Sequence, residues 1–291
     1  MRVLATTRLP GDAWDELRDL EIGTLDEPRD DVEALIVAGN RIDDEVLDRF
    51  PALRLVANYG VGYDLVDVEA CRARGVAVTN TPGVLDAATA DLAFALIVAV
   101  RRRLVEGDAL VRAGKWGTSW SGGPFLGHDL AGSTLGIVGP GRIGSAVARR
   151  AEAFEMHVIS HSRSTDLSLD DLLREADVVS VHCPLTAETR GLISREKLAL
   201  LRDGATLVNT ARGAIVDEDA LVEELVSGRI SAGLDVFVHE PRVPEALLGL
   251  SNVVLAPHIG SATVETRAAM TRVVVDNVLA AERGEALPTP V

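Results

Sequence analysis

The sequence predicts an α/β protein built from two domains, each a doubly wound parallel sheet. Three observations carry that expectation. Short apolar runs alternate with helical stretches along nearly the whole chain, the pattern of parallel βα units. The alternation comes in two series, and a glycine-rich turn opens the second, which starts near Ser133. The length of 291 residues suits about two domains, and 47% hydrophobic residues are ample for two cores and exclude a disordered chain.

In the first series Val3–Thr6 reads as a strand closed by Pro10-Gly11. Trp14, Leu17 and Leu20 then recur at helical spacing. Leu35–Ala38 is strand-like and stops at Gly39-Asn40. Asp43 is placed to cap a helix carrying Val46, Leu47 and Phe50, ended by Pro51. Leu53–Ala57 and Val76–Thr79 are further strands with a helical stretch between them, and a helical run Asp86–Leu104 joins the two series.

The second series offers six strands: Thr134–Val138, His157–Ser160, Val178–His182, Thr206–Thr210, Ile230–Asp235 and Asn252–Ala256. Six such strands suit a doubly wound sheet. Leu169–Ala176 and Asp217–Leu225 pattern as helices between them. Val264 to Arg283 reads as a long helix closed by Gly284, with Arg283 complementing the dipole of its last turn. No internal repeat or low-complexity linker separates the halves. The boundary is therefore placed inside a helix, and the last helix is expected to return to the first domain. That gives one domain of residues 1–98 and 263–291 and another of residues 99–262.

Charge and composition exclude several classes. With 29 Lys and Arg against 44 Asp and Glu, the net charge is −15. A nucleic-acid binder gathers basic residues against phosphate, and the only basic run here is Arg101-Arg102-Arg103. Met1–Thr6 reads as a strand rather than a secretory signal. The longest apolar stretch, Leu92–Val100, is about half a membrane span and begins beside Asp91. A cytoplasmic protein that binds neither membrane nor nucleic acid is expected. Cys71 and Cys183 can build neither a disulfide framework nor a Cys₄ zinc site, and no metal site is expected.

Gly139-Pro140-Gly141-Arg142-Ile143-Gly144 is a G-x-G-x-x-G between the strand ending at Val138 and the helical Ala146–Ala153. In that setting glycines bring backbone N–H groups to a pyrophosphate at a helix N-terminus. Pro140 has no N–H to offer. A carboxylate about 20 residues on would bind the ribose 2′-OH of NAD. The chain has Ser162-Arg163-Ser164 there instead. A guanidinium fork with two hydroxyls suits a 2′-phosphate, so NADP is expected over NAD. The competing reading has Arg163 stacked on adenine, with both cofactors accepted.

Polar groups follow the next three strands. They are Thr210-Ala211-Arg212 after the fourth, Asp235 to Glu240 after the fifth, and His258-Ile259-Gly260 after the sixth. Ligands bind at such strand ends. Reducing a carbonyl with a nicotinamide places negative charge on the carbonyl oxygen as hydride arrives. An imidazolium at His258 could protonate it. An unpaired imidazole titrates near 6.5, and a hydrogen-bonded Glu240 carboxylate would raise that value and orient the ring. Arg212 can hold an anionic group of a substrate and polarise the carbonyl.

The glycine loop, Asn209–Gly213, Asp235–Pro241 and Pro257–Gly260 together resemble the D-isomer-specific 2-hydroxyacid dehydrogenases, over nearly the whole chain. Asn58–Asp64, Thr79–Leu85, Ala88–Leu96 and Phe125–Asp129 are similar to the glyoxylate/hydroxypyruvate reductase branch. The resemblance implies a flavodoxin-like substrate domain beside a Rossmann-like cofactor domain, with Arg212, Glu240 and His258 catalytic. It implies that Val61 and Gly62 N–H groups bind substrate alongside Arg212 and His258. It places the nicotinamide end along Thr210, Ala211, Asp235 and His258–Gly260, and the adenosine side along Cys183 and Pro184. Cys183 reads as a packing residue there. Trp120 is similar to a residue that reaches a neighbouring active site, so a homodimer is expected. Two other readings compete: an NAD-linked dehydrogenase of a substrate such as phosphoglycerate, and a non-catalytic nicotinamide sensor.

Overall fold

The computed structural model describes residues 1–117 and 125–291; Trp120 lies outside the described residues. The chain divides into two compact units, Met1–Asp86 with Ser261–Val291, and Ala87–Gly260.

In the first unit the elements are β1 (Val3–Ala5), β2 (Leu20–Ile22), β3 (Ala34–Val37), α1 (Asp44–Asp48), β4 (Leu55–Asn58), α2 (Val68–Ala73) and β5 (Ala77–Thr79). All sheet pairings are parallel, in the order β2-β1-β3-β4-β5, the flavodoxin-like order. β3 and β4 are buried at every position, as expected of strands covered on both faces. Leu35, Val37, Leu47, Phe50, Val56 and Val78 share one core. Asp43 caps α1 by accepting the Val46 N–H at 3.2 Å. The helical spacing of Trp14, Leu17 and Leu20 resolves differently. Asp12–Glu16 is a single 3-10 turn that buries Trp14, and Leu20 begins the edge strand β2. Spacing of three suits a 3-10 turn as well as an α-helix, and β2 is too short and too exposed to show an apolar alternation.

The second unit holds α3 (Asp86–Arg101), α4 (Leu104–Arg112), β6 (Thr134–Val138), α5 (Arg142–Ala153), β7 (His157–His161), α6 (Leu169–Glu175) and β8 (Val178–Val181). It continues with α7 (Arg195–Leu198), β9 (Thr206–Asn209), α8 (Glu218–Val226), β10 (Ser231–Leu234) and β11 (Val253–Leu255). The six strands are parallel in the order β11-β10-β9-β8-β6-β7. The order reverses at β6, which pairs with β7 on one side and β8 on the other. Ala90, Ala93, Phe94 and Ile97 of α3 pack with Leu135, Ile137, Val147 and Val208 on one face. Leu172, Leu198, Leu221 and Leu225 pack with Val179, Val181 and Leu207 on the other.

That packing assigns α3 to the second unit, so the division falls at Asp86 rather than at 98. The helical run expected over Asp86–Leu104 also divides. Arg103 has φ 52°, which a right-handed helix of L-residues cannot continue through. The Arg101 carbonyl accepts the His128 N–H at 2.8 Å instead. The last helix, α9 (Val264–Arg283), ends at Gly284 with φ 69° and lies in the first unit, where Tyr59 Oη donates to the Arg267 carbonyl at 2.9 Å. Beyond it, Val291 N–H donates to the Val78 carbonyl at 2.9 Å and Pro290 bridges Thr79 antiparallel, so this segment covers the β5 edge. No helix among the described residues is long and apolar enough to cross a membrane.

Candidate active site

The glycine loop sits between β6 and α5, beside the point where the strand order reverses. That crevice is where open α/β sheets take ligands. Gly139 has φ 92°, and a Cβ there would stand 2.6 Å from the Cys183 nitrogen. A Cβ on Gly144 would stand 2.4 Å from the Gly139 carbonyl oxygen. The turn is thus closed tightly on β8 and on itself. Above Gly141, by contrast, nothing lies within 4 Å of a Cβ position. Gly141 N-caps α5, with Arg142 and Ile143 in its first turn, where the helix leaves N–H donors unpaired. Open space over a bare helix N-terminus fits a dinucleotide pyrophosphate. Pro140 contributes its carbonyl, which accepts from Ser145 Oγ at 3.1 Å.

Beyond β7 the Ser162-Arg163-Ser164 turn is wound by its own hydroxyls. Ser162 Oγ pairs with Ser164 Oγ at 3.0 Å, and Thr165 Oγ1 accepts the Ser162 N–H at 2.8 Å. Both serines and Arg163 therefore stand at the tip of one short turn. Cys183 packs partly buried against the α6–α8 side of the sheet, and burial pushes its thiol up to about 11. It is not a thiolate at neutral pH. Its neighbour His182 escaped sequence reasoning. Burial pushes it down to about 4, and its Nε2 pairs with Ser180 Oγ at 2.8 Å. It is a half-buried ring that stays neutral at physiological pH.

After β9, the Asn209 side chain brackets the next turn. Its Oδ1 accepts the Ala211 N–H at 3.0 Å and its Nδ2 donates to the Arg212 carbonyl at 2.9 Å. Arg212 Nη1 donates to the Ala211 carbonyl at 2.7 Å. Gly213 follows because no side chain fits there: a Cβ would stand 2.1 Å from the Phe237 carbonyl carbon. The loops after β9 and β10 are pressed together at that point.

The same Phe237–Val238 segment orients the acid. Glu240 Oε1 accepts the Phe237 N–H at 3.0 Å, and Glu240 Oε2 meets His258 Nδ1 at 2.7 Å. Burial alone would raise the Glu240 carboxyl. The His258 bond, the Phe237 N–H and the charges of His258 and Arg212 outweigh it and hold Glu240 below the ordinary glutamate value. Arg212, Glu240 and His258, distant in sequence, thus act on one another. The Glu240 and His258 side chains remain 34% and 48% exposed, so solvent can return a proton to the ring. A residue that sequence reasoning missed, Glu218 at the start of α8, accepts the Val238 N–H at 2.9 Å. No motif spacing marks it; only the fold brings it there.

His258 has φ 54°, a strained conformation for a residue with a side chain. Asp235 holds it. The Asp235 carbonyl accepts the His258 N–H at 2.9 Å, Oδ1 accepts the Ile259 N–H at 2.7 Å and Oδ2 the Gly260 N–H at 2.8 Å. Asp235 is fully buried, and burial raises its carboxyl against those two N–H bonds. Both its oxygens serve the His258 turn in this structure. Thr210 Oγ1, nearby in sequence to Arg212, is buried without a hydrogen-bond partner among the described residues.

In the first unit, Val61 and Gly62 follow β4. Asn58 Nδ2 donates to the Gly60 and Gly62 carbonyls at 3.1 and 2.9 Å, and Asn80 Nδ2 to the Val61 carbonyl at 2.9 Å. Among the described residues, no group of three or more His, Cys, Asp or Glu side chains could hold a metal.

A dinucleotide loop at the switch point, with an arginine and a carboxylate-braced imidazole at neighbouring strand ends, is the equipment of a nicotinamide-dependent dehydrogenase. Comparison with known proteins narrows that class. The profile of the D-isomer specific 2-hydroxyacid dehydrogenase NAD binding domain matches residues 94–260. The chain is 48% identical to a glyoxylate reductase of Pyrococcus furiosus, over 96% of this chain and 88% of that protein. A Thermus thermophilus protein of solved structure is 50% identical, with a TM-score of 0.94 over the full length of both chains. An NADPH-dependent glyoxylate/hydroxypyruvate reductase of Sinorhizobium meliloti, solved with NADP and malonate, is 38% identical, with a TM-score of 0.89 over 100% of this chain and 96% of that one. The chain belongs to the D-isomer specific 2-hydroxyacid dehydrogenase family.

Proposed function

We propose that this enzyme reduces glyoxylate or hydroxypyruvate to the D-2-hydroxy acid and prefers NADPH. The observation that carries the chemistry is the 2.7 Å contact between Glu240 and His258 Nδ1, with the Arg212 charge acting on the same carboxylate. The relatives in Pyrococcus furiosus and Sinorhizobium meliloti favour glyoxylate and hydroxypyruvate among 2-keto acids. The Gly139–Gly144 loop would hold the pyrophosphate of a reduced nicotinamide dinucleotide, which when bound would supply hydride to the carbonyl carbon. Arg212 pairs with the substrate carboxylate and draws electron density toward the carbonyl oxygen. His258, its Nδ1 committed to Glu240, presents Nε2 to that oxygen and delivers the proton as charge develops. Glu240 stabilises the charged ring and fixes its plane. In oxidation the same ring takes the proton back. Val61 and Gly62 supply backbone N–H groups to the substrate carboxylate. Asp235 and the His258–Gly260 turn, with Thr210 and Ala211, line the nicotinamide end, and Cys183 and Pro184 line the adenosine side.

NADPH preference rests on the Ser162-Arg163-Ser164 turn, which offers a guanidinium and two hydroxyls to a 2′-phosphate. A panel of 2-keto acids assayed at 340 nm with each reduced cofactor tests the whole reading. Fastest turnover with glyoxylate or hydroxypyruvate and NADPH supports it. Tight cofactor binding without turnover of any 2-keto acid would overturn it in favour of a sensor.

The working unit in this proposal is a homodimer in the cytoplasm, where both cysteines remain thiols. α4 buries none of its residues, and Leu104, Val105, Val111, Trp116, Leu126 and Leu248 on or near it are each more than half exposed. A nine-residue helix gains little stability without a packed face, and a second copy offers a matching one. Sedimentation should show a dimer that Val105→Glu dissociates.

A further inference from the structure

The loop that follows β4 has an unusual division of its polar groups. The carbonyls of Gly60, Val61 and Gly62 all accept side-chain amides, from Asn58 and Asn80. The Val61 and Gly62 N–H groups have no acceptor among the described residues. Carbonyls tied back and adjacent N–H groups left free make a receptor for an anion.

Asn80 is itself held from far along the chain. Its N–H donates to the Thr289 carbonyl at 3.3 Å, and its carbonyl accepts Thr289 Oγ1 at 2.6 Å. Thr289 is gripped in turn by Asn277, a fully buried residue of α9. Asn277 Nδ2 donates to Thr289 Oγ1 at 2.9 Å and Asn277 Oδ1 accepts the Thr289 N–H at 3.1 Å. Asn277 Nδ2 also reaches the Val273 carbonyl at 2.7 Å, anchoring the amide to the helix. The Thr289 hydroxyl therefore donates once and accepts once, and both bonds lie on the route from α9 to Asn80.

We propose that Asn277, Thr289 and Asn80 are positioning residues: a relay that sets the Val61–Gly62 receptor for the substrate carboxylate. The proposal rests on the reading that those two N–H groups bind substrate. Without the Thr289 hydroxyl, the Asn80 carbonyl and one Asn277 N–H lose their partner. An unpaired polar group is costly, and a shift of Asn80 relieves it. That shift carries the Val61 carbonyl, and with it the orientation of the adjoining N–H groups. The effect falls on substrate affinity, because the hydrogen bonds of the relay lie within the first unit, whereas the Gly139–Gly144 loop and the Glu240–His258 pair belong to the second.

The test compares wild type with Thr289→Val, Thr289→Ser and Gly62→Pro, each checked by circular dichroism. Measured quantities are KM for glyoxylate, KM for NADPH, kcat, and inhibition by oxalate as a carboxylate that cannot be reduced. Thr289→Val should raise the glyoxylate KM and the oxalate Ki by about tenfold, the equivalent of one hydrogen bond to a charged group. The NADPH KM and kcat should stay within about twofold, and Thr289→Ser should restore the wild-type values. Gly62→Pro, which removes one receptor N–H, should raise the same two quantities as Thr289→Val. If Gly62→Pro raises them and Thr289→Val only lowers the melting temperature, the relay is wrong while the receptor stands. If Gly62→Pro leaves them unchanged, the receptor itself falls. Should Thr289→Val fail to fold, Asn80→Ser replaces it with the same expectations.

Discussion

In the proposed reaction Glu240 braces the proton donor His258, and its titration gives a signed prediction. Its carboxyl is held below the ordinary value of 4.5 by the His258 bond, the Phe237 N–H and nearby charges, against a burial effect of opposite sign. A depressed acid contributes stability that is fully present above its unfolded value and lost as pH falls through its folded one. The melting-temperature difference between wild type and Glu240→Gln should therefore be constant from neutral pH to 4.5 and shrink only below it. At neutral pH Glu240→Gln should lower kcat by roughly 10²-fold, the scale of lost general acid–base support. Arg163→Ala should raise KM for NADPH by about tenfold and leave KM for NADH nearly unchanged; equal changes would refute the 2′-phosphate contact. These residues stood out as candidates because strand ends next to a glycine loop are where α/β sheets take ligands. The bonds of Asp235 to the His258 turn and of Glu218 to Val238 did not, because a carboxylate that serves backbone N–H groups has no spacing signature.

The elements matter here for how they hold one another. Gly213 admits the Phe237–Val238 segment, Glu240 takes the Phe237 N–H and Glu218 of α8 takes the Val238 N–H. Glu218→Ala would leave that N–H without its carboxylate. It should reduce kcat by about tenfold, the equivalent of one hydrogen bond to a charged group, with both KM values little changed. Glu218→Gln retains an acceptor oxygen and should recover most of the loss. One helix cap was readable directly, since Asp43 accepts the Val46 N–H as expected; Ser168, Asp217 and Thr263 cap their helices in the same way in the structure. The break at Arg103 was not readable, since arginine is an ordinary helix residue and neither its φ of 52° nor the bond from His128 to the Arg101 carbonyl has a local signature.

Two parallel sheets give the whole molecule its stability, and one ring in the second reports on it. Burial pushes His182 down from 6.5 to about 4. The unfolded chain therefore binds the proton first, and stability is lost as pH falls from 6.5 toward 4. Urea unfolding across that window should show a slope with pH that His182→Asn reduces; an unchanged slope would mean the ring is not buried neutral. The strands and the glycine loop could be read from residue order, because burial on both faces and tight βα turns impose local composition. The placement of α3 in the second unit, the edge strand β2, and the Thr289 contact with Asn80 across 209 positions could not. Those depend on which surfaces meet after folding, and local composition carries no record of a partner that distant.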